Sequence, residues 1–230
     1  MSDTGGKITL VHTSFVSVDD LTALFKEIGP NIQIRHIVDD SLLPEVLANG
    51  GVTNAVRSRV CAYYRAAQDS GADLIFNQCS SVGEAADIAA QLINVPVIKV
   101  DEMMAQVACE TGKRIAVAAT LETTLGPTCR LVEKTAQQMG KEIVIEPLLI
   151  EGAFDELISG NRSKHNQMVL TAIKGVLATV DVVVCAQGSM VAILPELGKT
   201  EVPVLTSPRM GVAAAVEKLN QILAEKNIRE

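Results

Sequence analysis

The sequence alternates short, apolar, β-rich runs with longer helical patterns along its whole length. Helical patterns fall at 19–28, 53–70, 84–92, 103–111, 128–139, 166–179 and 211–226. The runs typical of strands fall between them, at 8–12, 32–38, 74–76, 97–100, 115–119, 143–150, 182–184 and 202–205. Because parallel strands need long crossover connections, this alternation predicts an α/β fold whose parallel sheets are covered by helices on both faces.

The second half of the sequence repeats landmarks of the first half at a nearly constant interval. Thr13 and Thr120 each follow a strand and are 107 residues apart, and Asp73 and Asp181 each precede a strand and are 108 apart. Any α/β chain gives a few such matches by chance, but their steady spacing favours a duplication. We therefore predict two pseudo-symmetric Rossmann-like lobes, residues 1–110 and 111–230, with the active site in the cleft between them. The carboxy-terminal helix, 211–230, is a candidate to pack on the first lobe.

Composition narrows the classes of partner and location. Acidic residues outnumber basic ones by 27 to 20, and no cluster of basic residues is present. This balance argues against nucleic acid and against an anionic membrane surface. No apolar run exceeds five residues, and residues 1–6 lack the basic and apolar segments of a signal peptide. We expect a cytoplasmic protein with neither nucleic-acid nor membrane partners.

The five cysteines are an odd number without a Cys-x-x-Cys pair, which is typical of free thiols in a reducing compartment. Cys79 and Cys185 each lie at a strand end before a predicted helix, where the backbone dipole favours a thiolate. The alternative is that each is a small buried hydrophobe. Polar surroundings favour function for these two, whereas Cys61 and Cys109 lie in apolar helical stretches. Cys129 fits either role, and we favour the core.

Polar segments follow four of the predicted strands, at 12–14, 77–81, 120–124 and 185–189. Loops at the carboxyl ends of parallel strands are where such sheets bind ligands, and these supply the hydroxyls, amides and backbone N–H groups that a small anion needs. Helix capping is a second role for several of them and does not exclude binding. The predicted binding residues are Ser14, Asn77, Ser80, Ser81, Thr120, Thr123, Thr124, Gln187, Gly188 and Ser189.

Three further polar residues have simpler explanations than catalysis. Glu84 follows Ser81 by three residues, which is the spacing of a capping box. A lone histidine such as His12 is more often structural than an acid–base group. A loop arginine such as Arg209 is more often solvated than bound to a carboxylate. The sequence has no zinc-ligand spacing and no nucleotide-binding glycine loop. We expect no metal and no cofactor.

At these residues the sequence resembles the aspartate/glutamate racemase superfamily, which includes hydantoin racemases, maleate isomerases and arylmalonate decarboxylases. Residues 77–81 (Asn-Gln-Cys-Ser-Ser) resemble the cysteine motif of the first lobe, and residues 117–124 resemble the strand-end Ala-Thr-x-x-Thr segment. Residues 184–187 resemble the second cysteine motif, with a Cys-x-Gln order closer to the maleate isomerase and arylmalonate decarboxylase branch.

The resemblance implies an isomerase that needs neither pyridoxal phosphate nor any other cofactor. In such an enzyme Cys79 and Cys185 would face opposite sides of a small carboxylate, such as aspartate, glutamate or a hydantoin. One thiolate would remove the proton from the carbon next to the carboxylate, and the other thiol would return a proton. The resemblance also implies a homodimer or a higher homo-oligomer.

One spacing departs from two-fold symmetry. Counted from the aspartate that precedes each strand, Cys79 is at +6 and Cys185 is at +4. If the strands superpose, Cys79 matches Gln187 and Cys185 matches Asn77. Two alternatives therefore stay open beside a two-cysteine racemase. One is a maleate isomerase-like or arylmalonate decarboxylase-like enzyme with a single active cysteine, and the other is a non-catalytic sensor that binds a small acid between two lobes.

Overall fold

A computed structural model describes residues 5–229, without the side chains of Asn227 and Arg229. Residues 1–4 lie outside the described part. They make up most of the segment, residues 1–6, on which the expectation of no signal peptide rests. The chain divides into two compact units, one of Met1–Val100 with Pro208–Glu230 and the other of Asp101–Ser207. Within the described residues, no helix is long and apolar enough to cross a membrane.

The first unit is a four-stranded parallel sheet with the strand order β2-β1-β3-β4. Side chains alternate between its faces, as a strand requires. Leu10 of β1 packs with Leu21 and Phe25 on one face, and Val11 packs with Val60 and Tyr64 on the other. The strands are β1 (Lys7–His12), β2 (Gln33–Val38), β3 (Leu74–Asn77) and β4 (Val97–Lys99). The helices are α1 (Val18–Ile28), α2 (Leu42–Ala48), α3 (Asn54–Asp69), α4 (Gly83–Ala90) and the carboxy-terminal α10 (Ser207–Arg229), and a 3-10 turn spans Ser80–Val82.

The second unit repeats this arrangement, with the parallel strand order β6-β5-β7-β8. Its strands are β5 (Arg114–Ala119), β6 (Val144–Leu149), β7 (Val182–Cys185) and β8 (Val204–Thr206). Its helices are α5 (Glu102–Thr111), α6 (Glu122–Gln138), α7 (Ala153–Ile158), α8 (Arg162–Val176) and α9 (Leu194–Leu197), and a second 3-10 turn spans Gly188–Ile193. The same strand order in both units confirms the predicted α/β class with two pseudo-symmetric Rossmann-like lobes.

The units divide after Val100, ten residues before the boundary placed at 110 from the sequence. The reason is the packing of α5, which contacts α6, β7 and β8 of the second unit. Helix α10 belongs to the first unit, where Val212 and Leu219 enter the same core as Phe25 of α1. The first unit is therefore built from both ends of the chain.

Candidate active site

Cys79 lies at the carboxyl end of β3, in the position that caps the first 3-10 turn. Its backbone is still extended, with φ −121° and ψ 117°, and the turn Ser80–Val82 begins at the next residue. The side-chain amide of Asn77, the last residue of β3, donates to the Cys79 carbonyl oxygen at 3.0 Å. The residue is half-buried, with its side chain against the core formed by α3 and α4. The end of β3 thus holds the thiol in one place at the rim of the sheet.

Burial raises the pKa of the Cys79 thiol, and several donors act in the opposite direction. They are the side chain of Thr13, the backbone and side chain of Ser81, and the backbone N–H of Val82. The Thr13 hydroxyl is buried and makes no well-aligned hydrogen bond among residues 5–229. It lies close enough to the Cys79 sulfur to lower the pKa of the thiol. The resting thiol is therefore protonated at neutral pH, with donors already in place for the thiolate.

Backbone hydrogen bonds align the two units residue by residue. In the first unit, Asp73 N–H donates to the Lys7 carbonyl at 2.8 Å, and in the second Asp181 N–H donates to the Arg114 carbonyl at 2.8 Å. Each aspartate also accepts a hydrogen bond from the backbone N–H of that same partner, at 2.8 Å in both units. The matching strands begin at equivalent points, as the sequence repeat predicts.

The same pattern holds at the carboxyl ends of these strands. Gln78 N–H donates to the Val11 carbonyl at 3.2 Å, and Ala186 N–H donates to the Ala118 carbonyl at 2.9 Å. Gln78 is therefore equivalent to Ala186. The residue after each of them must be equivalent as well, because no residue is inserted between the strand and the cap.

Gln187 consequently occupies the position that Cys79 has in the first unit. Each caps a 3-10 turn in an extended conformation, and each carbonyl accepts a hydrogen bond from the third residue of the turn. The backbone therefore aligns Cys79 with Gln187, which is the match that the sequence predicts if the two strands superpose.

Cys185 is the last residue of β7, one residue beyond the predicted end of that strand, and it lies in the core of the second unit. It pairs with Ala118 and Thr206 in the sheet and is completely buried beside Ile173 and Met190. Burial alone raises the pKa of this thiol to about 12. These surroundings match the alternative of a small buried hydrophobe, and the catalytic role assigned to Cys185 stays a prediction.

Gln187 is fixed by Thr120, which follows β5. Its Oε1 accepts hydrogen bonds from the Thr120 backbone N–H at 2.6 Å and from the Thr120 hydroxyl at 2.9 Å. Thr13 follows β1 at the equivalent place and lies beside the Cys79 sulfur. In both units, therefore, a threonine after the first strand contacts the residue that caps the turn after the third strand.

The other predicted binding residues are divided between the units. In the first unit, Ser14 is half-buried in the loop after β1, and Ser80 and Ser81 are buried in the first 3-10 turn. In the second unit, Gly188 and Ser189 open the second 3-10 turn. Thr123 and Thr124 lie in the first turn of α6, which begins six residues earlier than predicted, and Thr124 is buried. All of these residues follow the carboxyl ends of β1, β3, β5 or β7.

Sequence reasoning missed a polar network that lies after β2. Asp39 accepts hydrogen bonds from Arg59 at 3.0 Å and from the Tyr63 hydroxyl at 2.6 Å. Burial by itself raises the pKa of the Asp39 carboxyl. Hydrogen bonds from Ser41 and Tyr63 and the charge of Arg59 outweigh this effect, so the pKa lies below its ordinary value. Arg59 also pairs with Glu45 of α2, the helix that contacts the first 3-10 turn. The signal in the sequence was a further polar segment, Asp-Asp-Ser at 39–41, directly after a strand.

His12 and Arg209 both have partners on the protein. His12 Nε2 lies 3.0 Å from His36 Nδ1, and burial together with His36 lowers the pKa of His12 to about 4, so its ring is neutral. Arg209 pairs with Glu27 through two oxygens, at 2.7 and 2.8 Å, and both side chains are mostly exposed. These partners agree with the structural and solvated interpretations of the two residues. Among the described residues, no group of three or more His, Cys, Asp and Glu side chains is placed to hold a metal ion.

The comparisons with known proteins give a family and a fold. The model of the family described as Asp/Glu/Hydantoin racemase matches residues 11–215. Comparison with curated protein sequences finds no match.

Solved structures of this fold include allantoin racemase from Klebsiella pneumoniae, with a TM-score of 0.66 and 17% identity over 96% of this chain and 89% of that one. The aspartate racemase of Picrophilus torridus has a TM-score of 0.70 and 12% identity over 94% and 95%. A mutant of arylmalonate decarboxylase in a sulfate-associated form has a TM-score of 0.55 and 14% identity, with 93% of each chain covered. At these identities the likeness shows the fold alone.

Proposed function

Because the chain belongs to the Asp/Glu/hydantoin racemase family, we propose that it catalyses cofactor-independent proton transfer at the carbon next to a carboxylate, with Cys79 as the reacting thiol. The substrate class is a small carboxylic acid. The observation that carries this proposal is the setting of Cys79, a half-buried thiol that caps a turn at the rim of its sheet with Thr13, Ser81 and Val82 around the sulfur.

The chemical step follows from this setting. The Cys79 thiolate takes a proton from the substrate carbon, and the electron pair of the C–H bond moves onto the carboxylate or carbonyl oxygen as an enolate. The thiol then returns a proton to that carbon and becomes the thiolate again. The donors around the sulfur stabilise the thiolate. An enolate needs further donors in position before its charge develops.

Two-cysteine racemisation of an amino acid or a hydantoin is the second candidate, and the family match favours it. It needs Cys185 as the second acid–base group. The core position of Cys185 favours the one-thiol alternative, in which a single cysteine serves isomerisation or decarboxylation. The cytoplasmic location and the homo-oligomeric state stay predictions.

The test is solvent deuterium incorporation, measured by mass spectrometry with aspartate, glutamate, hydantoins, maleate and an arylmalonate. The native protein is compared with Cys79→Ser and Cys185→Ser. Cys61→Ser is the matched control, because Cys61 is also half-buried and packs against the same core as Cys79. We expect incorporation, or decarboxylation with deuterium at the new C–H bond, to be lost only in Cys79→Ser.

The other outcomes decide against this reading in distinct ways. Loss of activity in both Cys79→Ser and Cys185→Ser, with folding retained, establishes the two-cysteine racemase instead. Binding of an acid that survives both substitutions, without exchange or turnover in the native protein for any compound, supports the non-catalytic sensor and overturns the proposal.

A further inference from the structure

We propose that Asn77 is a positioning residue for the reacting thiol, because its side-chain amide occupies the Cys79 carbonyl oxygen and so releases the backbone N–H of Val82 to the Cys79 sulfur. The inference rests on the proposed function and deepens it, since it names the residue that prepares the thiol for ionisation. All three residues belong to the first unit, between the end of β3 and the end of the first 3-10 turn.

The backbone N–H of Val82 has two acceptors within reach, and both belong to Cys79. It donates to the Cys79 carbonyl oxygen at 3.3 Å, just beyond the usual range of about 2.7–3.2 Å. It also lies beside the Cys79 sulfur, where it lowers the pKa of the thiol. The resting sulfur accepts no aligned hydrogen bond in this capping position. A thiolate is a stronger acceptor than a thiol because it is charged, so ionisation draws the N–H from the carbonyl towards the sulfur.

This movement takes the turn hydrogen bond away from the Cys79 carbonyl, and Asn77 compensates for it. The Asn77 Nδ2 donates to the same oxygen at 3.0 Å, which is the shorter of the two bonds. A carbonyl oxygen accepts two hydrogen bonds, so both donors bind it in the resting state. After ionisation Asn77 keeps the carbonyl satisfied, and the Val82 N–H is able to stabilise the thiolate without leaving an acceptor unpaired.

The second polar atom of the Asn77 amide argues against a role in packing alone. The Cys79 carbonyl can only accept, so the atom facing it must be the amide nitrogen, and Oδ1 points away from it. Asn77 is 1% exposed, and its Oδ1 is buried without a hydrogen-bond partner among residues 5–229. A leucine of similar shape would avoid the cost of burying that oxygen. A polar side chain that lowers local stability in this way is typical of a functional position.

The second unit shows the same turn without such an amide. Cys185 occupies the place that Asn77 has in the first unit, and in the described part of the chain it donates no hydrogen bond to the turn. The turn bond from the Met190 N–H to the Gln187 carbonyl is 3.1 Å, against 3.3 Å in the first unit. The N–H thus stays closer to the carbonyl where no second donor shares that oxygen.

Asn77→Leu tests the proposal on the thiol itself. Leucine keeps the approximate shape of the side chain but removes the amide donor and the unpartnered oxygen. We expect the alkylation rate of Cys79 by iodoacetamide at pH 8 to fall about three- to tenfold, the partial loss of a hydrogen bond to a charged group. The rate is measured on the peptide that contains Cys79 by mass spectrometry, because other cysteines also react. The melting temperature should equal or exceed the native value.

The kinetics of the same variant distinguish a less acidic thiol from a blocked site. A raised thiol pKa moves the acid limb of the kcat profile to higher pH, by about 0.5 to 1 for a three- to tenfold effect. KM should stay within about twofold of the native value, since Asn77 acts through the thiol and not on the substrate. Asn77→Asp has a carboxylate that cannot donate to the carbonyl and repels the thiolate, so its alkylation rate should be lower still.

Thr53→Ala is the matched control in the same unit. It removes the hydrogen bond that caps α3, between the Thr53 hydroxyl and the Val56 N–H, and Thr53 also bonds Glu45. We expect this variant to melt at a lower temperature while Cys79 is alkylated at the native rate. Loss of stability alone would then not explain a slower reaction in the Asn77 variants.

Each remaining outcome decides against the inference or against the proposed function. A native alkylation rate in folded Asn77→Leu overturns the inference and leaves the proposed function intact, provided that activity still depends on Cys79. A slower rate with a raised KM and an unmoved pH profile also overturns it. If neither variant folds, crystal structures of the native protein at neutral and alkaline pH decide, because the inference requires the Val82 nitrogen to approach the sulfur while Asn77 stays on the carbonyl. Full activity in Cys79→Ser refutes the proposed function, whereas the alkylation result still decides the role of Asn77.

Discussion

Substitution of Cys185 distinguishes a structural role of this thiol in the core from a catalytic role. Cys185 is completely buried among Ile173, Met190 and Ile193, and among the described residues its sulfur has no hydrogen-bond partner. If Cys185 is a core residue, Cys185→Ser destabilises the second unit and leaves the chemistry intact. If it is a catalytic residue, both Cys185→Ser and Cys185→Ala abolish turnover.

The size of the effect follows from these surroundings. A serine hydroxyl at this place is buried without a partner, which costs about 1–3 kcal/mol in the free energy of unfolding. Alanine leaves a cavity of one heavy atom, and we expect a loss of about 1 kcal/mol. For a chain of this size, each kcal/mol lowers the melting temperature by about 2–4 °C. We therefore expect Cys185→Ser to melt below Cys185→Ala.

The assay combines urea unfolding with the deuterium-incorporation measurement on the same samples, at a temperature where both variants are folded. We expect kcat per folded molecule to stay within about twofold of the native value while the stability falls in the order native, alanine, serine. The reasoning is refuted if Cys185→Ala has native stability but no turnover, since a core residue cannot give that combination.

Three further predictions follow from other contacts of the first unit. Thr13→Val removes a hydroxyl that lowers the pKa of the Cys79 thiol, so the alkylation rate of Cys79 by iodoacetamide should fall several-fold at pH 8, whereas Thr13→Ser should keep it. His12 has a folded pKa of about 4 against 6.5 in the unfolded chain, so protonation favours unfolding. Urea unfolding should show stability falling by up to about 3 kcal/mol from pH 6.5 to 4, and His12→Gln should flatten that slope. Arg59→Met leaves the Asp39 carboxylate without its cation, and we expect about 1–2 kcal/mol lower stability in urea unfolding, whereas Tyr63→Phe, which keeps the ion pair, should have the smaller effect.

The fold was predictable because its signals are local and repeated. Apolar runs at strand length alternate with helical patterns, and the threonines and aspartates at strand ends recur at a nearly constant interval, so both sheets and their duplication follow from the sequence. The boundary between the units was less accessible. Residues 102–111 form a helix in either lobe, and only its packing against β7 and β8 places it in the second unit.

The site was predictable only in part, because it depends on where each strand ends. Phe76 is followed by polar residues from Asn77 onward, so the end of β3 is visible in the sequence. In the second unit, Val184, Cys185 and Ala186 are all apolar, and periodicity does not show which of them turns out of the sheet. One residue more of strand moves a side chain from the rim into the core. The network of Asp39 and Arg59 was hidden for another reason, since its members are 20 residues apart and meet only in the folded unit.

The duplicated framework determines which residues occupy equivalent positions in the two units. Two copies of one strand–turn unit give equivalent positions to residues with equal register, and Cys79 shares its position with Gln187 rather than with Cys185. A fold that hosts several chemistries does not by itself assign one of them. The side chains at the two caps differ in chemistry, because a thiol is able to transfer a proton whereas an amide only donates and accepts hydrogen bonds. Cys185 lies in the core of the second unit instead, so a substitution there should alter the stability of that unit and leave the chemistry of the Cys79 thiol unchanged.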